Sequence, residues 1–487
     1  MRENERGDMV KCLQKIEPKN IWARLFFAVF LLVPLCIISD SALYTAMVFA
    51  LLLLLSRRLE RPWFPILLFL AALGLRIAAI VLIPTPVQSD FEKLLNAAQQ
   101  MNGGDTRYLS DIYFQRWAYQ LGFVAFEALL LKIRDTVYIL KLVNCLAGAG
   151  TTVLIYLLAQ ELTDRCSARA AGLLYCFSPM SVLYMTVLSN QVFQTFLVLA
   201  GIWYLVSERF RSPAWVRFAV FGLLLSLANI LRPESIIPLT AVVISLVLLL
   251  RKNNWKQSLV CAALMLGIYF GTNVLIDLIF RKTGLAPEGL VNNAPYWKFV
   301  LGFNHDTSGG YDKADVPLLE DPEAAWEAVY ERLGVPLNRL YHLFERKISK
   351  FWGNSSLHWV FNAFKTEGLP LFGDAEKTAD AVAALNGLNR WFQFASYVLT
   401  LFGVVRLIRT DRLRLAALVL MNTVFVTLGV YLLIEVQSRY AFFAQAVCCV
   451  LAAPGLSLLE ERFRTRRRPG GSKAPQTAPQ PEGGSHD

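Results

Sequence analysis

The sequence predicts an all-α polytopic membrane protein with about 12 transmembrane helices and two large external loops, the second forming a small, mainly helical lobe. Three observations predict it. Of 487 residues, 55% are hydrophobic and only 17% charged, against roughly a quarter charged in soluble domains. Mean hydropathy is +0.44. Several apolar runs approach or exceed the roughly 20 residues that carry a helix across a bilayer core. An ordinary soluble enzyme is thereby disfavoured.

The first run, 21–38, follows a hydrophilic tail (1–20), and no small-residue cleavage pattern comes after it, so it reads as a retained helix rather than a signal peptide. Further runs at 42–55, 64–83, 137–159, 168–186, 192–206, 215–230, 236–250, 259–280, 391–405, 413–434 and 440–458 complete the twelve and put both termini on one side. Basic clusters such as Arg57/Arg58/Arg61, Arg165/Arg169, Arg209/Arg211/Arg217 and Arg406/Arg409/Arg412/Arg414 sit between runs. They mark the cytoplasmic side, so the net charge of +11 reflects orientation in a cell membrane and not nucleic-acid binding. The segment 117–131 is apolar enough to cross, but crossing would flip every later basic cluster. It is expected to lie on or dip into the outer face.

The outer side then receives a loop, 84–136, and a lobe, 281–390. Within the lobe, Asp321 before Pro322 predicts an N-cap and first-turn proline opening a helix over 323–333, and 337–352 is periodic and amphipathic. Residues 461–487, basic and then rich in Pro, Gly, Ser and Gln, read as a disordered cytoplasmic tail. The core of the protein is a membrane domain over 21–460.

Eight cysteines lie in the N-terminal tail or in and beside apolar runs, and the lobe has none, so no disulfide framework is implied. Phosphate-loop, dinucleotide-binding and zinc motifs are missing. No cofactor is predicted; the four histidines do not pair at metal-ligand spacing, which leaves a divalent metal unsupported but open.

Candidate chemistry gathers at the outer helix ends. After Pro84-Thr85-Pro86-Val87-Gln88-Ser89, the residues Phe91, Leu94, Leu95, Ala98 and Met101 recur at helical spacing. Asp90 at that helix start could take a proton from an acceptor hydroxyl. The plainer alternative is a capping box of Ser89 and Glu92, with Asp90 favouring the positive helix end. Arg232 and Arg439 are the only Lys or Arg residues in the short outer connections. Guanidinium forks there suit a lipid phosphate; the plainer alternatives are snorkelling, or pairing with Glu234 or Glu435. Asn190, Gln191, Glu234, Glu435 and Gln437 are the other polar residues at these ends. Asn304, in Gly302-Phe303-Asn304-His305-Asp306, sits in a polar turn.

Ser89-Asp90, then Tyr113-Phe114-Gln115-Arg116-Trp117-Ala118-Tyr119-Gln120-Leu121-Gly122 leading into a surface helix, resembles the membrane-embedded glycosyltransferases with the C-type fold. Leu157 to Leu162 running into Arg169-Ala170-Ala171-Gly172-Leu173-Leu174 and Ser178-Pro179 is similar to the protein O-mannosyltransferase and aminoarabinose transferase superfamily. Leu231-Arg232-Pro233-Glu234 and Val436-Gln437-Ser438-Arg439-Tyr440 look like features of its bacterial members. The resemblance covers about residues 60 to 460.

It implies an enzyme that moves a hexosyl or pentosyl group from a polyprenyl-phosphate-linked donor to a glycolipid, wall-polymer or protein acceptor at the outer face. Carried over, Asp90 matches the catalytic base, Arg232 and Arg439 hold the donor phosphate, and Glu92, Asp111, Glu234, Asn304, Glu435 and Gln437 are candidates for sugar or acceptor contact. Many relatives show an acidic pair where this chain has Asp90-Phe91-Glu92. The rivals are a 12-helix secondary transporter and a lipid-linked polymer ligase or polymerase. A transporter calls for a polar midplane path and related halves, neither of which the sequence displays.

Overall fold

The computed structural model describes residues 17–36, 55–250, 255–353 and 357–466. The described residues are helical and contain no strand. Eight helical stretches among them are long and apolar enough to cross a membrane: Pro18–Leu35, Phe64–Leu82, Val137–Leu162, Ala214–Leu231, Trp255–Thr283, Ala375–Arg409, Leu415–Leu433 and Ser438–Glu461. This is a multi-pass membrane protein.

The expected twelve spans are not all met. Asn190–Val206 and Ile236–Leu248 are apolar but shorter. The run at 168–186 breaks into Arg165–Cys176 and Pro179–Leu183, because Pro179 has no N–H to continue the first helix and restricts the residue before it. Most of the run at 42–55, the tail before residue 17 and the tail after residue 466 lie outside the described residues. The run at 391–405 is the second half of an unbroken 35-residue helix starting at Ala375. Asp374 caps it, accepting from the Lys377 N–H at 2.9 Å.

We label α1 (Pro18–Phe30), α2 (Phe64–Leu82), α3 (Asp90–Asn102), α4 (Leu121–Leu131), α5 (Val137–Leu162), α6 (Arg165–Cys176), α7 (Asn190–Val206), α8 (Ala214–Leu231), α9 (Ile236–Leu248), α10 (Trp255–Thr283), α11 (Trp297–Gly302), α12 (Pro322–Leu333), α13 (Leu337–Ile348), α14 (Ala375–Arg409), α15 (Leu415–Leu433) and α16 (Phe442–Arg466). The bundle pairs α2 with α5, α7 with α8, α8 with α10, α9 with α15 and α14 with α16. Small residues set the closest approach. A Cβ on Gly403 or Gly455 would collide with the backbone of the opposing helix, so α14 and α16 meet backbone to backbone there.

Helix α4, 11 residues long, rises only about 16 Å, half a bilayer core. It packs on α3 and α8. The lobe has its own core of Trp297, Val300, Leu301, Leu319, Val329 and Leu343. Its second helix starts as expected: Asp321 accepts from the Glu323 and Ala324 N–H groups, both at 3.0 Å, with Pro322 in the first turn.

Candidate functional site

Segments distant in sequence meet at one end of the bundle: the start of α3, the start of α7, the connection after α8, α11 of the lobe, the short helix His358–Phe361 and the strap 434–441 that enters α16. The lobe fixes the strap. The Glu435 N–H donates to the Lys298 carbonyl at 2.8 Å and the Val436 N–H to the Gly309 carbonyl at 2.7 Å. Lys347, 1% exposed, donates to the carbonyls of Gly302 (2.6 Å), Leu432 (2.7 Å) and Ile434 (3.0 Å). Burial, with neighbouring Lys350, pulls its ammonium down to about 7.

Most charges here are paired. Arg232 pairs with Glu234, donates to the Asn190 side-chain oxygen at 3.3 Å, and lies 4.8 Å from the centre of the Tyr440 ring. Glu234 also accepts from the Tyr431 hydroxyl at 2.6 Å. Burial pulls the Arg232 guanidinium down, but Glu234 outweighs it and holds it well above its ordinary value. Lys298 pairs with Glu435. Burial alone would raise the Glu435 carboxyl; Lys298 and Gln437 outweigh it and hold the group below the usual range. The converse balance holds Lys298 above its own ordinary value.

Two charged groups at the centre stay unpaired. Arg439, 8% exposed, is caged by rings, its guanidinium carbon 4.6 Å from the Trp359 centroid, 5.2 Å from Phe91 and 5.5 Å from Tyr440. Its Nε donates to Gln437 Oε1 at 2.7 Å, and its carbonyl accepts from the Gln191 side chain at 2.7 Å. Among the described residues its two terminal nitrogens bond to nothing. Asp90, next in the chain to Phe91, likewise makes no side-chain hydrogen bond or ion pair among the described residues. It lies near enough to act electrostatically on Arg439 and on the Tyr113 phenol. Tyr113 is raised by burial first and by Asp90 second.

The capping-box alternative does not form. Ser89 occupies the N-cap of α3 but its side chain caps nothing. Its φ of +59° lies in the left-handed region that costs a serine about 1–3 kcal/mol. That strained residue aims the first turn of α3, and so Asp90, into the cluster.

The remaining sequence candidates sit apart from the unpaired centre or have structural duties. Glu92 is exposed. Asp111 caps Ile112–Arg116, accepting from the Tyr113 N–H at 2.8 Å, with Lys93 at 3.7 Å. Asn304 is buried in the polar turn, accepting from the Asp306 and Thr307 N–H groups at 3.0 Å each and donating to Asp315 at 2.9 Å. Sequence reasoning passed over Lys298, Lys347 and Tyr431. Lys298 stood within the lobe, where one lysine has no pattern to mark it. The only grouping of potential metal ligands among the described residues, Asp164, Cys166 and Glu460 within 4.8 Å of one another, lies at the opposite end of the bundle, where Asp164 caps α6.

Fold and site together define a polytopic helical membrane protein with a polar, charge-balanced site at one end of its bundle. Residues 122–276 match the family model described as dolichyl-phosphate-mannose-protein mannosyltransferase, which supports the superfamily resemblance drawn from the motifs. That region includes Asn190, Arg232 and Glu234 and stops short of Asp90 and Arg439. Among solved structures, the chain is similar to the archaeal oligosaccharyltransferase AglB from Archaeoglobus fulgidus in complex with an inhibitory peptide and a dolichol-phosphate. Identity is 13% and the TM-score 0.46, over 86% of this chain and 53% of that one. A second structure of the Archaeoglobus fulgidus enzyme, with Zn and sulfate, matches at 13% identity and a TM-score of 0.45, over 83% of this chain and 50% of that one. The chain thus spans about half the length of the solved structures it matches. No curated protein matches it.

Proposed function

We propose that the protein is a membrane glycosyltransferase that moves a sugar from a polyprenyl-phosphate-linked donor to a hydroxyl-bearing acceptor at the outer face of the cell membrane. One observation carries the reading: in a cluster where Arg232–Glu234 and Lys298–Glu435 neutralise each other, Asp90 and the Arg439 fork are left free and adjacent. The family match over residues 122–276 supports the same reaction class.

In this reading Asp90 takes the proton of the acceptor hydroxyl, whose oxygen attacks the anomeric carbon. The bond from that carbon to the phosphate oxygen breaks, and its electron pair leaves on the phosphate. The terminal nitrogens of Arg439 bind the phosphate oxygens in two-point geometry and offset the developing charge. Arg232, neutralised by Glu234, braces the Tyr440 ring from behind. Glu234, Glu435 and Gln437 keep the cations and the strap in place.

The test is release of free polyprenyl phosphate from labelled polyprenyl-phosphate sugars in membranes containing native acceptors. Wild type should release it. Asp90→Asn, which removes a base of the kind worth about 10²–10⁴ in rate, should fold and release none. An Asp90→Asn protein as active as wild type would overturn the assignment.

A further inference from the structure

The first turn of α7 reaches both arginines of the site. Ser189 opens the helix, its hydroxyl oxygen accepting from the Gln191 N–H at 3.3 Å. Successive residues of a helix point about 100° apart, so Asn190 and Gln191 face different neighbours. Asn190 turns to the connection after α8, where its Nδ2 donates to the Leu231 carbonyl at 3.0 Å and its Oδ1 accepts from Arg232 at 3.3 Å. Gln191 turns to the strap, where its Nε2 donates to the carbonyl of Arg439 itself at 2.7 Å.

Gln191 is itself held. It is buried, and its Oε1 lies 3.0 Å from the Tyr184 hydroxyl and 3.2 Å from the Ser189 hydroxyl. The Tyr184 ring, fully buried, packs 5.4 Å from that of Phe442, the first residue of α16. The amide has one orientation that serves: a backbone carbonyl only accepts, so the Nε2 end must face Arg439 and the Oε1 end the two hydroxyls. Both ends of the side chain are thus engaged by protein groups. The lobe holds the strap at Ile434, Glu435 and Val436. Gln191 takes hold further on, from the bundle, within the short turn Ser438–Ala441 that carries the guanidinium. A backbone pinned at its carbonyl fixes the direction in which that residue's side chain leaves it, and two-point binding of a phosphate tolerates little displacement of the fork.

We propose that Gln191 is a positioning residue for donor binding: it ties the Arg439 carbonyl to α7 and so sets where the free guanidinium fork lies, while Asn190, one residue earlier, sets Arg232. The proposal rests on the reading that Arg439 holds the donor phosphate. Gln191 touches no reacting atom and acts through Arg439.

The experiment is a double-mutant cycle on the purified full chain, with polyprenyl phosphate as the probe and its Kd as the readout. Gln191→Met keeps the length of the side chain and removes the amide; it should raise the Kd about tenfold, the effect of one buried hydrogen bond. Gln191→Glu keeps the acceptor for Tyr184 and Ser189 but, when ionised, cannot donate to the carbonyl, and should weaken binding at least as much. With Arg439→Lys already in place, Gln191→Met should add little, because the fork it positions is gone. Should Gln191→Met fail to fold, Tyr184→Phe retains the ring against Phe442 while removing a hydroxyl that orients the amide, and should raise the Kd in the same direction by less. A Gln191→Met protein that binds as tightly as wild type, or the same tenfold loss repeated in the Arg439→Lys background, would overturn the proposal alone. An Arg439→Lys protein that binds as wild type would remove the reading of Arg439 and the proposal with it.

Discussion

Lys347→Met tests how the lobe builds the site. In wild type one ammonium serves three backbone carbonyls, those of Gly302, Leu432 and Ile434, at 2.6 to 3.0 Å. Methionine has nearly the same length and no donor. Each buried carbonyl left without a partner costs about 1–3 kcal/mol, and removal of the desolvated charge returns part of that, so the net loss near neutral pH should be of order 3 kcal/mol. The charge adds a pH signature. Its folded value of about 7 lies below the unfolded value near 10.4, so between those limits the unfolded chain binds more protons. Wild-type stability should then rise with pH across that window, by at most about 1.4 kcal/mol per unit, and be flat below it. Thermal unfolding of both proteins from pH 6 to 10 should show a lower Tm for the variant and a gap that widens above pH 7. Donor affinity should fall too, because the Ile434 carbonyl anchors the strap that carries Arg439. Parallel curves, or a variant as stable and as tight-binding as wild type, would refute the latch.

Arg439→Lys keeps the charge but loses the planar fork and its stacking on Trp359 and Phe91. It should weaken donor binding about ten- to a hundredfold, measured as the dissociation constant for the polyprenyl-phosphate sugar, whereas Arg232→Lys should change it less. Ser89→Gly should leave Tm equal or higher, since glycine relieves the positive φ and no cap is lost; a drop equivalent to about 1 kcal/mol, the usual cost of removing an N-cap, would mean that Ser89 caps α3 after all. Burial first, then Arg439 and Lys365, push the His358 imidazole down to about 4. The unfolded chain therefore binds more protons between about 6.5 and 4, and stability should fall on acidification through that window. The slope should flatten in His358→Gln.

The legible parts of this protein are those written locally. Apolar runs gave the long helices because 18 or more apolar residues satisfy their own backbone bonds in lipid, and Asp321-Pro322 marked a helix start by capping chemistry alone. What failed was breakage and extension. A single proline at Pro179 divides a run whose hydropathy is continuous, and α14 begins at Ala375, well before its sequence turns apolar. Arg232 and Arg439 were conspicuous for their sign on the outer side, yet the sequence could not say that Glu435 takes Lys298 and leaves Arg439 free. That choice depends on the lobe folding back, which brings together residues 137 positions apart.

The division between paired and free charges bears on catalysis more than the number of charges does. In a site walled by Phe91, Trp359 and Tyr440 the effective dielectric is low, so an unpaired cation attracts an anion strongly. Left alone, the two would satisfy each other and bind nothing. Their separation has to be imposed. Ser89, with its positive φ, starts the helix that carries Asp90, and the strap carries Arg439 on a path set by the Lys298 and Gly309 carbonyls and the Lys347 ammonium. The lobe is therefore part of the site's electrostatics even where it contributes no reacting atom, since it decides which arginine is left without a partner.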